Sequence, residues 1–366
     1  MFILEVARGW PDRRWPLNGI FEWDQSKALL SAGHTIVYAA LDVRSVRHWR
    51  RWGFYRTEEA EIPVFHFDFP IGAVRGLDRA VAAMGFAHIL RCVEREFGRP
   101  DVVHVHFGDI AASVAGICQR DQMPYVVTEH SSAINVDELP TRILRELKYV
   151  YSNAAAVISV SSALARRIRR HTGVEARVIP NIIDLSMFHP TSRQAGYGSR
   201  FISAGNLVDG KGFDVLIQAF AVLTRQLPET RLLIMGDGPE RMKLQRQIAE
   251  LGLSEKVVLY GRYRREEFAQ KLAESDVFVM ASRAETFGVV YVEAMASGLP
   301  VIATACGGPE DFVNERNGVL VPVDDVEALG RAMRDTLENR SRYEDTAIAN
   351  NAARLCSSER VSLMLT

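Results

Sequence analysis

The sequence lacks an apolar run approaching the ~18 residues needed to cross a membrane. It contains only four cysteines, and Cys92, Cys118, Cys306 and Cys356 are too far apart in sequence to suggest a disulfide framework or a zinc knuckle. Reduced thiols and a cytoplasmic location are therefore expected. No charge predominates, because 44 Lys and Arg stand against 45 Asp and Glu. The net charge of −1 predicts no general attraction for nucleic acid.

What is present is typical of a globular α/β protein, with 48% hydrophobic and 24% charged residues. Short runs rich in Val and Ile alternate with amphipathic helical stretches such as Leu77–Phe97 and Leu139–Tyr151, which predicts βα units and parallel sheets. The predicted strands fall into two series: residues 2–7, 35–41, 62–67, 101–107, 125–129, 156–160 and 177–180, then 200–204, 231–235, 256–260, 276–281, 299–304 and 318–321.

The length of 366 residues, at about 150 per domain, predicts two domains. The segment 180–198 between the two series is rich in Pro, Gly and polar residues, which indicates a linker. We therefore predict Rossmann-like, doubly wound domains at residues 1–190 and 191–342, facing one another across a cleft. Ligands are expected beyond the carboxyl ends of the strands. Residues 343–366 are predicted to form a C-terminal helix that crosses back to the first domain.

A glycine-rich loop, Gly205–Gly212, lies between a predicted strand and the predicted helix Phe213–Leu223. It resembles a nucleotide-triphosphatase P-loop, but Gly212 stands where Ser or Thr would hold magnesium. Glycines, helix-terminal amides and Lys211 could still bind phosphate, while the alternative is a plain turn with a solvated lysine. A dinucleotide-binding triplet is also incomplete, because the run that starts at Gly236 ends on Arg241.

Two glutamates follow the predicted strand that ends at Ala281. Glu285 falls in the turn, and Glu293 lies in the next helix with seven residues between them. Amides at the helix start near Phe287-Gly288 could meet an anion, and ionised carboxylates are acceptors suited to sugar hydroxyls. The alternative is a surface glutamate in a turn and a helical glutamate in a salt bridge.

Together these residues resemble the retaining glycosyltransferases of family 4, which have the two-Rossmann-domain GT-B fold. The resemblance covers nearly the whole chain, and its most specific part is the Glu-(seven residues)-Glu signature from Glu285 to Glu293. Further similar segments are the loop Gly205–Gly212, the junction Val178–Asp184, Asp101–His106, Thr128-Glu129-His130, Asn18-Gly19 and Gly307–Glu310.

The resemblance implies transfer of a sugar from a nucleoside-diphosphate sugar, held by the second domain, to a saccharide or lipid-linked acceptor hydroxyl bound mainly by the first. No cofactor or metal ion is expected, and the nucleotide-sugar is a co-substrate. By position, the resemblance assigns catalytic roles to His130, Glu285 and Lys211, donor binding to Asn206, Lys211, Glu285, Phe287, Gly288, Val289 and Glu293, and an acceptor or diphosphate loop to Asn18 and Gly19.

Within the donor set, the resemblance places Glu293 on the ribose and Glu285 on the donor sugar. It places Lys211 on the diphosphate and His130 near the sugar. The sequence departs from the family at Asn206, where an arginine is common, so the diphosphate has one fewer cation unless Arg262 or Arg283 supplies it.

Three functions remain open at this stage: the retaining transferase, another GT-B enzyme such as a sugar-nucleotide epimerase or inverting transferase, and a non-catalytic sugar-nucleotide-binding module. Product stereochemistry and the need for an acceptor separate the first two. Donor binding without turnover identifies the third. The intact two-carboxylate signature favours the retaining transferase.

The histidines of the first domain allow a second interpretation. His104 and His106 alternate on a predicted strand, so they share a face and could be half of a metal site. The sequence offers no nearby carboxylate or cysteine to complete such a site, which favours a buried, hydrogen-bonded pair. His130 by itself could equally be a structural histidine at a strand end.

A basic and aromatic segment runs from Arg47 to Tyr55. If it is helical, its arginines and tryptophans could lie at a membrane interface or meet an anionic lipid-linked acceptor. A peripheral position at the inner face of the membrane is a further expectation on this basis. The alternative is a solvated face with its tryptophans packed on the core.

Overall fold

The structure is a computed structural model that describes residues 1–11, 18–45, 50–71, 77–191 and 200–366. The chain divides into two units, Met1–Ile182 with Ser358–Thr366, and Ile183–Ser357. This division differs from the predicted boundary at residue 190. Only the last nine residues join the first unit, whereas the whole of 343–366 was predicted to do so.

The first unit is built on an eight-stranded sheet with helices between the strands. Its elements in chain order are β1 (Phe2–Ala7), α1 (Ile20–Ser31), β2 (Thr35–Asp42), β3 (Gly53–Glu59), β4 (Ile62–Asp68), α2 (Leu77–Phe97), β5 (Val102–His106), α3 (Gly108–Arg120), β6 (Tyr125–Glu129), α4 (Thr141–Ser152), β7 (Ala156–Ser159), α5 (Ser162–Thr172) and β8 (Arg177–Val178). The strand order is β3-β4-β2-β1-β5-β6-β7-β8, and every pair is parallel except β3 with β4.

The second unit is built on a parallel six-stranded sheet. Its elements are β9 (Arg200–Ala204), α6 (Phe213–Thr224), β10 (Arg231–Met235), α7 (Arg241–Glu250), β11 (Val257–Gly261), α8 (Arg265–Ala273), β12 (Val277–Val279), α9 (Val289–Ala296), β13 (Val301–Thr304), β14 (Gly318–Val321), α10 (Val326–Glu338) and α11 (Asp345–Cys356). The strand order is β11-β10-β9-β12-β13-β14. The prediction of two parallel-sheet α/β domains is confirmed.

The central strands are apolar because helices cover both faces of each sheet. In β1 every residue from Ile3 to Ala7 is buried, and Glu5 is the charged member of that run. In the second unit, Phe201, Phe220 and Phe278 are fully buried and belong to a series of edge-on aromatic contacts. Burial of such rings supplies most of the favourable free energy of folding.

The edge strand β3 was not predicted. It pairs with β4 in a hairpin whose two turn residues, Ala60 and Glu61, have positive φ angles of 48° and 64°. A turn with two positive φ angles is usually marked by Asn-Gly or Asp-Gly, and neither is present here. The exposed edge also leaves β3 without the apolar run that identifies the central strands.

The chain end returns to the first unit through α12 (Ser358–Leu365). Its Val361 is fully buried in a cluster with Ala28 of α1 and with Ile158, Ile179 and Ile182. By contrast, α11 packs against α9 in the second unit. The single helix predicted for 343–366 is therefore two helices that belong to different units.

The helix that the membrane interpretation of Arg47 to Tyr55 required is not present in the described part of this segment, because β3 begins at Gly53. Arg47 lies outside the described residues. Arg50 is only 7% exposed, and its guanidinium forms an ion pair of 2.8 Å with Asp42, so it does not face solvent as a lipid-binding residue would. Among the described helices, none combines the length and the apolar character needed to cross a membrane.

Candidate active site

The glycine-rich loop after β9 turns back on the sheet of the second unit. Gly212 has a φ of +63°, and a Cβ at that position would lie 1.9 Å from the carbonyl oxygen of Ala281. Only glycine fits such a close approach. The contact holds the loop against the end of β12 and places Lys211, in a short 3₁₀ turn at Asp209–Lys211, beside the segment that follows that strand.

Lys211 and Glu285 meet there. The Nζ of Lys211 donates to Oε2 of Glu285 over 2.5 Å, and Oγ of Ser282 lies 3.4 Å from the same oxygen. Glu285 is only 8% exposed, so the surface-glutamate alternative is wrong. Its backbone is fixed as well, because its amide donates to Cys306 and its carbonyl accepts from Gly308. The partly exposed lysine and the buried turn glutamate thus form one cluster.

The N-terminus of α9 adjoins this cluster. Gly288 is the N-cap residue with a φ of +91°, and a Cβ there would lie 2.6 Å from the ring of Tyr291. The ring of Phe287 packs 5.5 Å from that of Phe312 in the core. Its side chain therefore does not face a ligand, and only its backbone amide can bind one. The first amides of a helix have no partner within the helix and carry partial positive charge. Those around Val289 can therefore bind an anion.

Glu293 lies on the second turn of α9 and is 5% exposed. Its Oε1 accepts from the guanidinium of Arg265, with Nη2 at 3.0 Å and Nε at 3.2 Å. Arg265 in turn lies over the ring of Phe188. The salt-bridge alternative for this helical glutamate is therefore present in the structure. Arg265 is the partner that sequence reasoning missed, because nothing in its local pattern distinguishes it from other helical arginines.

Arg283 does not replace the arginine that the family often has at position 206. Its guanidinium donates to Asp324 at 2.8 Å, to Asp214 at 2.9 Å and to the carbonyl of Asp209 at 2.6 Å. The hydrogen bond to Asp214 is the main cause of its raised pKa. These contacts tie the glycine-rich loop to the turn after β12. Arg262 lies instead 3.6 Å from Asp237, and Asn206 is exposed.

In the first unit, three histidines cluster with a glutamate towards the carboxyl ends of β1, β5 and β6. Glu5 of β1 lies in register with His104 of β5, and its two carboxylate oxygens contact His104 at 3.1 Å and His106 at 2.8 Å. His106 contacts His130 at 3.1 Å. The argument that no carboxylate lies near the two histidines is therefore wrong. Neighbouring parallel strands bring Glu5 to them, and the result is a buried hydrogen-bonded cluster.

The charge of Glu5 is set by its neighbours. Burial raises its pKa, but the hydrogen bonds and charge interactions with the two imidazoles outweigh burial and lower the pKa to about 2. Glu129, next to His130, is engaged differently. It accepts from the amides of Gly108 and Ser131 and from the Tyr151 hydroxyl, and burial raises its pKa. Glu129 therefore anchors the loop that carries His130.

Asn18 and Gly19 lie at the start of α1. The Asn18 amide donates to the carbonyl of Trp10 over 3.2 Å, and Gly19 adopts a left-handed conformation as the N-cap. The Asn18 side chain is thus engaged with the backbone of Trp10 in this structure. These residues and His130 belong to the first unit, whereas Lys211, Asn206, Glu285 and Glu293 belong to the second, where Lys211 contacts Glu285 and Glu293 contacts Arg265.

A buried glutamate on α1 gives a pH prediction. Burial raises the pKa of Glu22 from 4.5 to about 7, partly offset by its own backbone hydrogen bond and by Arg8. Because the folded state holds this proton more tightly, the contribution of Glu22 to stability is fully present below pH 4.5 and is lost as the pH rises through 7. Glu22→Gln should therefore gain stability over the wild type between pH 5 and pH 8, by about 3 kcal/mol at most.

Thermal unfolding across that pH range measures the effect. Glu94→Gln, at an exposed position on α2, is the control and should follow the wild type at every pH. Parallel curves for Glu22→Gln and the wild type would show that Glu22 is ionised in the folded protein at pH 5.

Comparison with known proteins agrees with this geometry. A family model described as glycosyl transferases group 1 matches residues 193–354, and one described as glycosyltransferase family 4 matches residues 22–187. A GDP-mannose-dependent alpha-(1-6)-phosphatidylinositol monomannoside mannosyltransferase of Mycolicibacterium smegmatis is 31% identical over 279 residues, which are 70% of this chain and 73% of the relative.

Two solved structures share the fold. Sucrose-phosphate synthase from Thermosynechococcus elongatus aligns with a TM-score of 0.83 and 21% identity, covering 100% of this chain and 97% of that one. Anabaena HepE in complex with UDP and glucose aligns with a TM-score of 0.78 and 20% identity, covering 100% of this chain and 98% of that one.

The two parallel-sheet units and these alignments show the GT-B fold. The chain belongs to glycosyltransferase family 4. It is therefore an enzyme that transfers a sugar from a nucleotide-sugar donor.

Proposed function

We propose that this enzyme transfers a hexosyl group from a nucleoside-diphosphate sugar to an acceptor hydroxyl of a glycan or lipid-linked saccharide, with retention of anomeric configuration. The observation that carries the proposal is the partly buried Lys211–Glu285 pair beside the N-terminus of α9. One cation, one carboxylate and a set of helix amides suit a diphosphate joined to a hydroxyl-rich sugar. Membership of family 4 supports retention.

The proposed roles follow from the charge of each group. When the bond between the sugar and the diphosphate breaks, its electron pair leaves with the diphosphate. Lys211 and the amides of Phe287, Gly288 and Val289 stabilise the negative charge that develops. Glu285 accepts from hydroxyls of the donor sugar, and Glu293 accepts from the ribose. Asn206 contributes a neutral donor at most.

The first unit supplies the acceptor side in this proposal. Asn18 and Gly19 lie at the carboxyl end of β1, the edge of a parallel sheet where ligands bind. His130 acts on the donor sugar. The mycobacterial relative, whose name gives a phosphatidylinositol mannoside as its acceptor, supports a lipid-linked acceptor and a peripheral membrane position.

We further propose that no divalent ion takes part. In this proposal Lys211 and the N-terminal amides of α9 supply the positive charge that a metal ion would otherwise bring to the diphosphate. Among the described residues, the acidic and imidazole groups close enough to share an ion are Glu5, His104 and His106, and these already bond to one another.

The test is a transfer assay with GDP- and UDP-hexoses, since the relative's name and the HepE complex contain these two nucleotides. NMR of the product gives the anomeric configuration. We expect a retained α-linkage, and the rate should stay within about twofold of the untreated rate after a chelator is added. An inverted product would refute retention, and loss of activity restored by magnesium or manganese would refute the metal-free proposal.

A further inference from the structure

We propose that Glu5, acting through His106, is a positioning residue that holds His130 with its proton on Nε2 and its lone pair on Nδ1. The inference rests on the proposed function only in giving His130 a part in the reaction. In this state Nδ1 of His130 can accept a hydrogen bond, for example from a sugar hydroxyl, and cannot donate one.

The argument begins at the buried carboxylate. Glu5 is fully buried and ionised, so both of its oxygens can only accept hydrogen bonds. Its Oε2 lies 2.8 Å from Nε2 of His106. Nε2 of His106 must therefore carry a proton and donate it to Glu5.

The next step concerns the other nitrogen of His106. Burial and the neighbouring His104 lower the pKa of His106, so the ring is neutral and carries a single proton. That proton is on Nε2, which leaves Nδ1 as an acceptor. Nδ1 lies 3.1 Å from Nε2 of His130, and a hydrogen bond at this distance requires a proton on Nε2 of His130.

The last step fixes Nδ1 of His130. Burial is the main cause that lowers the pKa of His130 well below its ordinary value, and the neighbouring imidazoles oppose a further positive charge, so this ring is also neutral. Its proton is on Nε2, and Nδ1 is therefore a bare acceptor. Neither Nδ1 nor Oδ1 of Asn181 has a partner at ordinary hydrogen-bond geometry, although a hydrogen bond with the Asn181 side chain partly opposes the lowering of the His130 pKa. A bare acceptor at Nδ1 suits a ligand that brings a hydroxyl donor.

The network has a second branch that provides a natural control. Oε1 of Glu5 bonds to Nδ1 of His104, and Nε2 of His104 lies 2.7 Å from the Thr128 hydroxyl. This branch leads away from His130. A hydroxyl both donates and accepts, so Thr128 suits either tautomer of His104 and transmits no preference.

The direct test is histidine-ring ¹⁵N NMR of the full chain without any donor. We expect His106 and His130 each to be a single neutral tautomer at pH 7, protonated on Nε2. A proton on Nδ1 of His130, two interconverting tautomers, or a doubly protonated ring would overturn the proposal. This measurement needs no substitution, so it decides the matter even if variants in this buried cluster fail to fold.

Two variants then separate the branches. His106→Phe keeps a ring at this position but removes the acceptor for the Nε2–H of His130. Both tautomers of His130 should then appear in the spectrum. The kcat should fall about tenfold, while the KM for the donor changes less. Thr128→Val removes the hydroxyl of the other branch and should leave the His130 spectrum and kcat unchanged. An unaltered His130 spectrum in His106→Phe would contradict the relay.

The part played by Glu5 is tested in the same way. Glu5→Gln still offers one acceptor to His106, because the Thr128 hydroxyl lets His104 switch tautomer at little cost, so His130 should keep its tautomer. Glu5→Met offers His106 no comparable acceptor, so both tautomers of His130 should appear. The spectra are recorded without substrate and so are independent of the reaction. If the spectra are as expected while the kcat of His106→Phe is unchanged, the hydrogen-bond chain from Glu5 through His106 to His130 is supported. The proposed role of His130 in transfer is then wrong.

Discussion

Glu293→Gln is expected to weaken binding of the free nucleoside diphosphate by roughly 30- to 100-fold, because the amide nitrogen that replaces Oε2 cannot accept from the ribose hydroxyls and can only donate neutral hydrogen bonds of about half the strength. Glutamine is the informative substitution, since its carbonyl oxygen can still accept from Arg265 at the position of Oε1. Alanine would leave Arg265 without this buried partner, at a cost of about 3–5 kcal/mol in stability.

Isothermal calorimetry with GDP and UDP measures the effect. Glu274→Gln is the matched control, because Glu274 also forms an ion pair within the second unit, with Lys271 at 2.8 Å, and has no proposed ligand. Glu285→Gln should lower turnover more than nucleotide affinity, since its proposed partner is the sugar. Wild-type nucleotide affinity in a folded Glu293→Gln protein would remove Glu293 from the donor site.

Lys211→Met should raise the barrier to transfer by at least about 2–3 kcal/mol, which is on the order of a hundredfold in kcat. The expected loss is large because no nearby cation is placed to replace Lys211 among the described residues. Arg283 is held by Asp209, Asp214 and Asp324, and position 206 is asparagine. Methionine keeps most of the volume of lysine while removing its charge.

Two further variants make this result specific. Lys211→Met leaves Glu285 buried without its cation, so thermal unfolding of Lys211→Met and of Lys211→Met combined with Glu285→Gln shows how much stability the unpaired carboxylate costs. Asn206→Arg adds a cation to the same loop and should preserve activity, and it should restore part of the activity of Lys211→Met. If Lys211→Met keeps more than about a third of the wild-type kcat, a loss of under 1 kcal/mol, this loop is not the diphosphate site.

The sequence predicted the elements whose signal is local and strong. The helix Leu77–Phe97 has the predicted bounds, and the central strands were found because burial on both faces makes them continuous apolar runs. β3 was missed for the opposite reason, since it is an exposed edge strand with a turn that lacks the usual residues. The helix break at Ser357 was missed because the apolar positions continue through it.

The candidate site was predictable where a motif is contiguous in the chain. Glu285 and Glu293 follow one strand, and Lys211 follows another, so their positions could be expected from strand order alone. The partners of these residues could not. Arg265 reaches Glu293 from a helix 28 residues earlier, and Glu5 reaches His106 across 101 residues of chain. A charged residue inside the apolar run of β1 was the one local signal that Glu5 has a buried partner.

The return of α12 to the first unit has a consequence for how the protein is made. A ribosome releases residues 1–182 long before Val361, which completes the cluster around Ala28 and Ile182. The second unit, a continuous stretch of chain, can complete its fold in the meantime. The first unit must wait with an apolar face of α1 uncovered until α12 has left the ribosome.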